Sequence, residues 1–241
     1  MLPRLRDMTT DVVDAASPTA RTFYGLNALL AWVGLIIAFL VTLFGLYPNT
    51  NTNPTLFGFN PEGFSGLIGR LSDYFSYFTH LSNFVVAIVV TLIWRNSSRI
   101  HSKVFAVLRL DSLIMITVTG LIFAVVLAPT IELRGWEYAS NALEHYITPI
   151  LTLVVFVVFG PRRQLNYRLV LPALILPLTW VVLVMIRGAI IDAYPYGFIN
   201  AAQWGYRTVL MNIVGIVIFG ILLGLAFVAI DRARSKRQRA S

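Results

Sequence analysis

The chain has 241 residues, of which 57% are hydrophobic and 12% charged, and its net charge is +8. A soluble domain carries about twice that charged fraction, so a single soluble core is excluded. Cysteine is absent, which removes disulfides and thiolate chemistry, and no HExxH, Walker or GxGxxG motif is present.

A membrane-spanning helix needs about 20 mainly apolar residues. The apolar runs here are continuous and lack the alternation of barrel strands. They predict an all-α membrane protein, a six-helix transmembrane bundle forming one domain over 1–241. Its spans are expected at about 23–47, 75–94, 104–127, 138–159, 169–186 and 206–230. The first run is too long for a signal-peptide core and is expected to be retained.

The basic residues set the expected orientation. Arg4, Arg6 and Arg21 precede the first span. Arg95, Arg99 and Lys103 follow the second, and Arg162, Arg163 and Arg168 follow the fourth. Arg232, Arg234, Lys236, Arg237 and Arg239 close the chain. Only Arg70, Arg134, Arg187 and Arg207 fall on the other side. The positive-inside bias puts both termini in the cytoplasm, as expected for a bacterial cytoplasmic membrane. It also accounts for the positive charge without nucleic acid.

Two outer loops stand out. In 48–74, Asn60 is expected to cap a short helix with Pro61 in its first turn. Phe64, Leu67, Ile68 and Leu71 would share a face lying in the interface. The second loop, 188–205, carries Tyr194, Pro195, Tyr196, Phe198 and Trp204. These form either an aromatic belt or the cover of a cavity open to the outer leaflet.

Polar groups inside a span are costly unless paired or hydrated, so their faces are informative. Span 2 carries Ser72, Asp73, Ser76, Thr79, His80 and Asn83 at helical spacing. Span 4 carries Glu137, Asn141, Glu144, His145 and Thr148. Both spans enter from outside, so these stripes reach similar depth. Span 6 adds Thr208 and Asn212, with Arg187 and Arg207 nearby. One outer-leaflet pocket is expected, although Ser76, Ser82 and Thr148 also suit plain helix–helix hydrogen bonding. At the inner ends, Asn27, Arg109 and Asp111 are expected to form a structural cluster, with a proton path through Asp111 as the alternative. Gly220 and Gly224 form a GxxxG face, for a second copy or for packing within the chain.

A threonine hydroxyl needs a base to become a nucleophile, and neutral histidine is the usual one. Thr79 and His145 at matching depth make a candidate nucleophile and general base. Asn83 or Asn212 could donate to a developing oxyanion, and His80, Asn141 and Arg187 are further substrate-binding candidates. No cofactor is expected. Zinc would find only His80 and His145 at one site.

Ser76-Tyr77-Phe78-Thr79-His80-Leu81-Ser82-Asn83, Leu108-Arg109-Leu110-Asp111, Thr117-Val118-Thr119-Gly120, and Tyr194-Pro195-Tyr196 carry a resemblance. The chain resembles bacterial six-span membrane proteins grouped with the androgen-induced family of intramembrane threonine hydrolases. The resemblance to the animal enzymes is confined mainly to spans 2 to 4. It implies hydrolysis of fatty acid esters of hydroxy fatty acids, with Thr79 as nucleophile and His145 as its partner. His80 departs from the apolar residue that follows the threonine in the animal proteins, and the interval from His145 to Pro149 is one residue shorter. The rival expectation is a non-enzymatic lipid or small-solute binding protein or transporter. In it Arg187 or Arg207 would hold a carboxylate and Asp111 would couple to protons. A third is a structural membrane partner whose basic tail meets anionic lipid.

Overall fold

The computed structural model describes residues 17–46, 53–96 and 98–237, with the backbone alone for 98, 99 and 235–237. Helix α1 (Pro18–Phe44) starts where the Ser17 hydroxyl accepts the Ala20 amide at 3.2 Å and Pro18 sets the first turn. It ends at Gly45, whose φ of 64° is readily open to glycine. Arg70 closes that end by donating to the Thr42 carbonyl at 3.1 Å, and its other nitrogens hold Pro61 and Gly63 carbonyls of the outer loop. The buried Ala31 and Leu35 of α1 pack against Ala87, and such small residues let two backbones approach closely.

A 3-10 turn, Gly63–Gly66, leads into α2 (Leu67–Ser76), and α3 (Phe78–Trp94) follows after a bend of 63°. The break sits at Tyr77, which is extended at ψ 130°. The Ser76 carbonyl, lost to the helix there, accepts the Trp180 indole N–H at 2.9 Å. At 1.5 Å per residue the 17 residues of α3 span about 26 Å, short of a ~30 Å hydrocarbon core.

Helix α4 (Lys103–Ile122) is capped by Ser102, which accepts the Phe105 amide at 3.0 Å, and continues through a π turn at Phe123–Leu127. Helix α5 (Glu137–Phe159) contains a second π turn at Leu143–Ile147. Helix α6 (Ile175–Ile191) follows two 3-10 turns, and α7 (Ala201–Arg237) kinks at Gly205, with φ 73°. Among the described residues the extended pairing is limited to an isolated bridge between Leu56 and Tyr194. Five helices are long and apolar enough to cross a membrane, or six if the bent pair α2–α3 counts as one span. Large apolar side chains such as Ile150, Leu183, Leu210 and Leu222 stand exposed along them, as a lipid-facing surface requires.

Several expectations change. The second span does not run unbroken from 75, so its polar stripe is divided between α2 and α3. Asn60 does not cap the loop helix; its amide donates to Asp73 Oδ2 at 2.6 Å, and the helix starts without a side-chain cap. The fifth apolar helix runs on to Ile191, which puts Arg187 inside it. Asn27 is not part of the Arg109 cluster: it pairs with Thr152 at 3.1 Å, while Arg109 donates to Pro161 O at 2.7 Å and Gln164 Oε1 at 2.9 Å. Gly220 and Gly224 are buried within the chain. A Cβ on Gly220 would meet Leu174 and Ile114, and one on Gly224 would meet Val170 and Ile114. The GxxxG face thus packs against side chains of the same chain. Arg4, Arg6, Arg239 and residues 47–52 of the outer loop lie outside the described residues.

Candidate active site

The bend at Tyr77 makes Thr79 the second residue of α3, in the first turn, where amides lack intrahelical partners. The Thr79 hydroxyl lies 3.1 Å from His145 Nε2, a hydrogen-bond contact. For Nε2 to accept, the proton of the neutral ring must sit on Nδ1, a buried atom that makes no hydrogen bond of ordinary geometry among the described residues. The two π turns meet at this point. Phe123, first residue of one, stacks on His145, in the middle of the other, with ring centroids 3.8 Å apart. A π turn admits one extra residue per turn and often marks a functional site. Here it sends Glu144 and His145 to different neighbours.

Glu144 is buried and its Oε1 lies 3.0 Å from His80 Nδ1. A side chain on Gly34 of α1 would collide with Glu144 Cγ at 3.1 Å, so this glycine makes room for the carboxylate. His80 stacks on Tyr74 at 4.0 Å. The pair is a packed polar contact beside the dyad, and neither residue lines the cavity.

Thr79 and His145 line a cavity of about 90 Å³. That clears several times over the ~10–15 Å³ that holds one water, so it is real space. Its walls come from α4 (Ile114, Met115, Val118), α6 (Leu174 below it, Val181) and α7 (Ile213, Gly220). Almost all of the lining is apolar. Along α4 the lining runs from Phe123, which stacks on His145, to Ile114, about 13 Å at 1.5 Å per residue. The exposed Leu178 belongs to the lining, so the space opens sideways between helices, and Tyr196, Phe198 and Ile199 of the 188–205 loop also line it.

The other sequence-derived candidates lie elsewhere. Asn83 is fully buried, and its amide donates to the Thr79 carbonyl at 2.9 Å and the Glu144 carbonyl at 3.1 Å. Asn83 therefore locks α3 to α5 and does not line the cavity. Asn212 is exposed and donates to Phe198 O at 2.8 Å. Arg187 binds Asp73 at 2.6 Å and Ser76 Oγ at 3.2 Å, under Phe57. Together with the Asp73 bond to the Gly58 amide, this ties the outer loop to α6. His80 and Asn141 are also absent from the cavity wall.

Tyr196 reaches the centre, although the sequence marks it only as an aromatic of an outer loop. Its oxygen accepts the Thr79 amide at 3.3 Å and lies 3.4 Å from the Thr79 hydroxyl. The ring is stacked on Phe198 at 5.3 Å and flanked by Tyr77 and Trp180. Burial pushes its phenol up to about 12, so the hydroxyl keeps its proton at neutral pH. The Tyr194-Pro195-Tyr196 stretch was the available signal. Phe123 left none, because a π turn has no sequence mark here.

No known protein family, curated protein or solved structure matches this chain.

Proposed function

We propose that the chain is an intramembrane hydrolase of amphiphilic fatty-acyl esters, with Thr79 as nucleophile and His145 as general base. One observation carries the reading: a threonine hydroxyl 3.1 Å from a histidine nitrogen, both residues lining an apolar cavity. The geometry fits nucleophile activation by an adjacent base. His145 Nε2 takes the Thr79 proton as the oxygen attacks the ester carbonyl, then gives it to the leaving alcohol. Water, deprotonated by the same nitrogen, releases the acyl group as acid. The apolar cavity suits the acyl chain, and the side opening suits entry from lipid. The resemblance of residues 76–83 to the threonine hydrolases points the same way. The transporter reading loses Arg187 as its substrate cation, since that residue is paired with Asp73, and is left with the exposed Arg207.

The six-span arrangement with both termini cytoplasmic, and residence in a bacterial cytoplasmic membrane, belong to the same proposal. Its support is the clustering of basic residues at one set of helix ends.

Purified protein in detergent is expected to hydrolyse medium- or long-chain esters without gradient or added metal, and to be labelled by a fluorophosphonate. Thr79→Val, which keeps the volume and removes the hydroxyl, should lose labelling and about 10³-fold or more of kcat. His145→Ala should lose a comparable factor. Hydrolysis persisting unchanged in both would sink the reading.

A further inference from the structure

Attack by Thr79 leaves a full negative charge on the former carbonyl oxygen, and neither member of the dyad faces it. Stabilising that charge is usually the largest single contribution to such catalysis. Among the described residues that line the cavity, few side chains carry a donor. The Trp180 N–H is held by the Ser76 carbonyl. Ser82 donates to the Thr79 carbonyl at 2.9 Å, so at the 2.8 Å Ser82–Thr119 contact Thr119 must donate to Ser82. Asn83, one turn below, has both its bonds to backbone carbonyls. Tyr196 alone combines a position beside Thr79 with a proton that can turn.

The bond directions make a chain. The Thr79 amide donates to Tyr196 Oη, the Tyr196 hydroxyl can donate to Thr79 Oγ1, and the Thr79 hydroxyl donates to His145 Nε2. The Tyr196 oxygen thereby sits at the amino end of α3, where the unpaired amides favour negative charge. They make the phenol a stronger donor while it stays protonated.

We propose that Tyr196 donates the hydrogen bond that stabilises the oxyanion. The role rests on the hydrolase reading above. As the Thr79 oxygen forms its bond to carbon, its proton passes to His145 and the carbonyl π pair moves onto oxygen. The Thr79 oxygen then needs no donor, and the Tyr196 hydroxyl, held from behind by the Thr79 amide, turns onto the new oxyanion. When the carbon–oxygen bond to the alcohol breaks, the electron pair leaves with the alcohol, His145 returns the proton, and the carbonyl re-forms. Tyr196 gives up no proton at any stage.

Tyr196→Phe keeps the ring between Tyr77, Trp180 and Phe198. It is expected to lower kcat on a medium-chain p-nitrophenyl ester by about 10²-fold, with KM nearly unchanged. A long-chain trifluoromethyl ketone, which adds to Thr79 as an oxyanion, should bind Tyr196→Phe weaker by a similar factor. The matching methyl ketone, which does not add, should bind both proteins alike. A merely structural role would weaken both ketones together. A ring-fluorinated tyrosine in place of Tyr196 keeps fold and hydroxyl while lowering the phenol pKa. The alkaline limb of kcat should then move to lower pH. Wild-type kcat in Tyr196→Phe, with Thr79→Val inactive, overturns the donor role and leaves the hydrolase standing. Absence of any Thr79-dependent hydrolysis in wild type overturns both.

Discussion

The half of the bundle around Thr79 and the half around Arg109 each bury a set of polar side chains, yet they differ in how those chains are satisfied. In the Arg109 half, Arg162 donates to the Phe156, Val157 and Val158 carbonyls at the end of α5, with bonds of 2.7 to 3.0 Å. Arg109 binds Pro161 O and Gln164 and lies over Phe156, Tyr24 donates to Gly160 O, and Asp231 accepts the Leu165 amide. These bonds run mainly to backbone, and the cavity beside Thr79 does not reach them. They fasten a loop to helix ends. In the Thr79 half, Thr79, His145 and Tyr196 bond chiefly to one another, on the wall of a cavity. Burial alone therefore does not distinguish a working site. The distinction lies in whether the polar atoms end on the backbone or on each other beside open space.

The assignment of the halves to membrane faces gives an all-or-none prediction. In a variant series, single cysteines at exposed Glu62 or Glu132 should react with an impermeant thiol reagent added outside intact cells. Cysteines at exposed Asn96 or Ser102 should react only after permeabilisation. The reverse pattern would move the Thr79 site to the cytoplasmic leaflet and exchange the two halves.

The second prediction crosses the halves. Arg109→Ala strands Gln164 and the Pro161 carbonyl and removes a buried cation near Asp231. Loss of one partner from such a buried charged network typically destabilises by about 3–5 kcal/mol. The unfolding transition in detergent should fall accordingly, while kcat per folded molecule stays close to wild type. Thr79→Val should do the opposite, losing kcat with little change in the transition. An Arg109 variant that folds normally but hydrolyses poorly would remove the distinction between the halves.

Much of this contrast was legible in the sequence, for a physical reason. Hydropathy and the 3.6-residue period depend on residue type alone. They gave the apolar helices and set Thr79 and His145 at equal depth on two stripes. The break at Tyr77 was not legible, because it is made by partners distant in sequence: Trp180 takes the Ser76 carbonyl and Arg187 takes Asp73. The same break frees the Thr79 amide for Tyr196, so one missed tertiary contact hid the third member of the site. Asn83 misled for a related reason. Its type and depth suit an oxyanion donor, but two backbone carbonyls lie within its reach and bind it first.

The smallest expected effect concerns how α7 closes the cavity floor, on the boundary between the two halves. Gly220 and Gly224 are one turn apart and differ in the space around them. A Cβ at Gly220 would stand 3.4 Å from Leu174 and 3.5 Å from Ile114, ordinary contact distances. At Gly224 it would stand 3.0 Å from Val170 and 3.2 Å from Ile114, too close unless those side chains shift. Alanine in a helix is favoured over glycine by about 0.5–1 kcal/mol. Gly220→Ala should therefore be neutral or slightly stabilising. Gly224→Ala should cost about 1–3 kcal/mol from overpacking, less that helical gain. Unfolding transitions of the two variants in the same detergent give the comparison. Both glycines turn inward, so neither substitution should alter the oligomeric state by light scattering. Dissociation of an oligomer by Gly224→Ala without loss of stability would mean that this face meets a second copy after all.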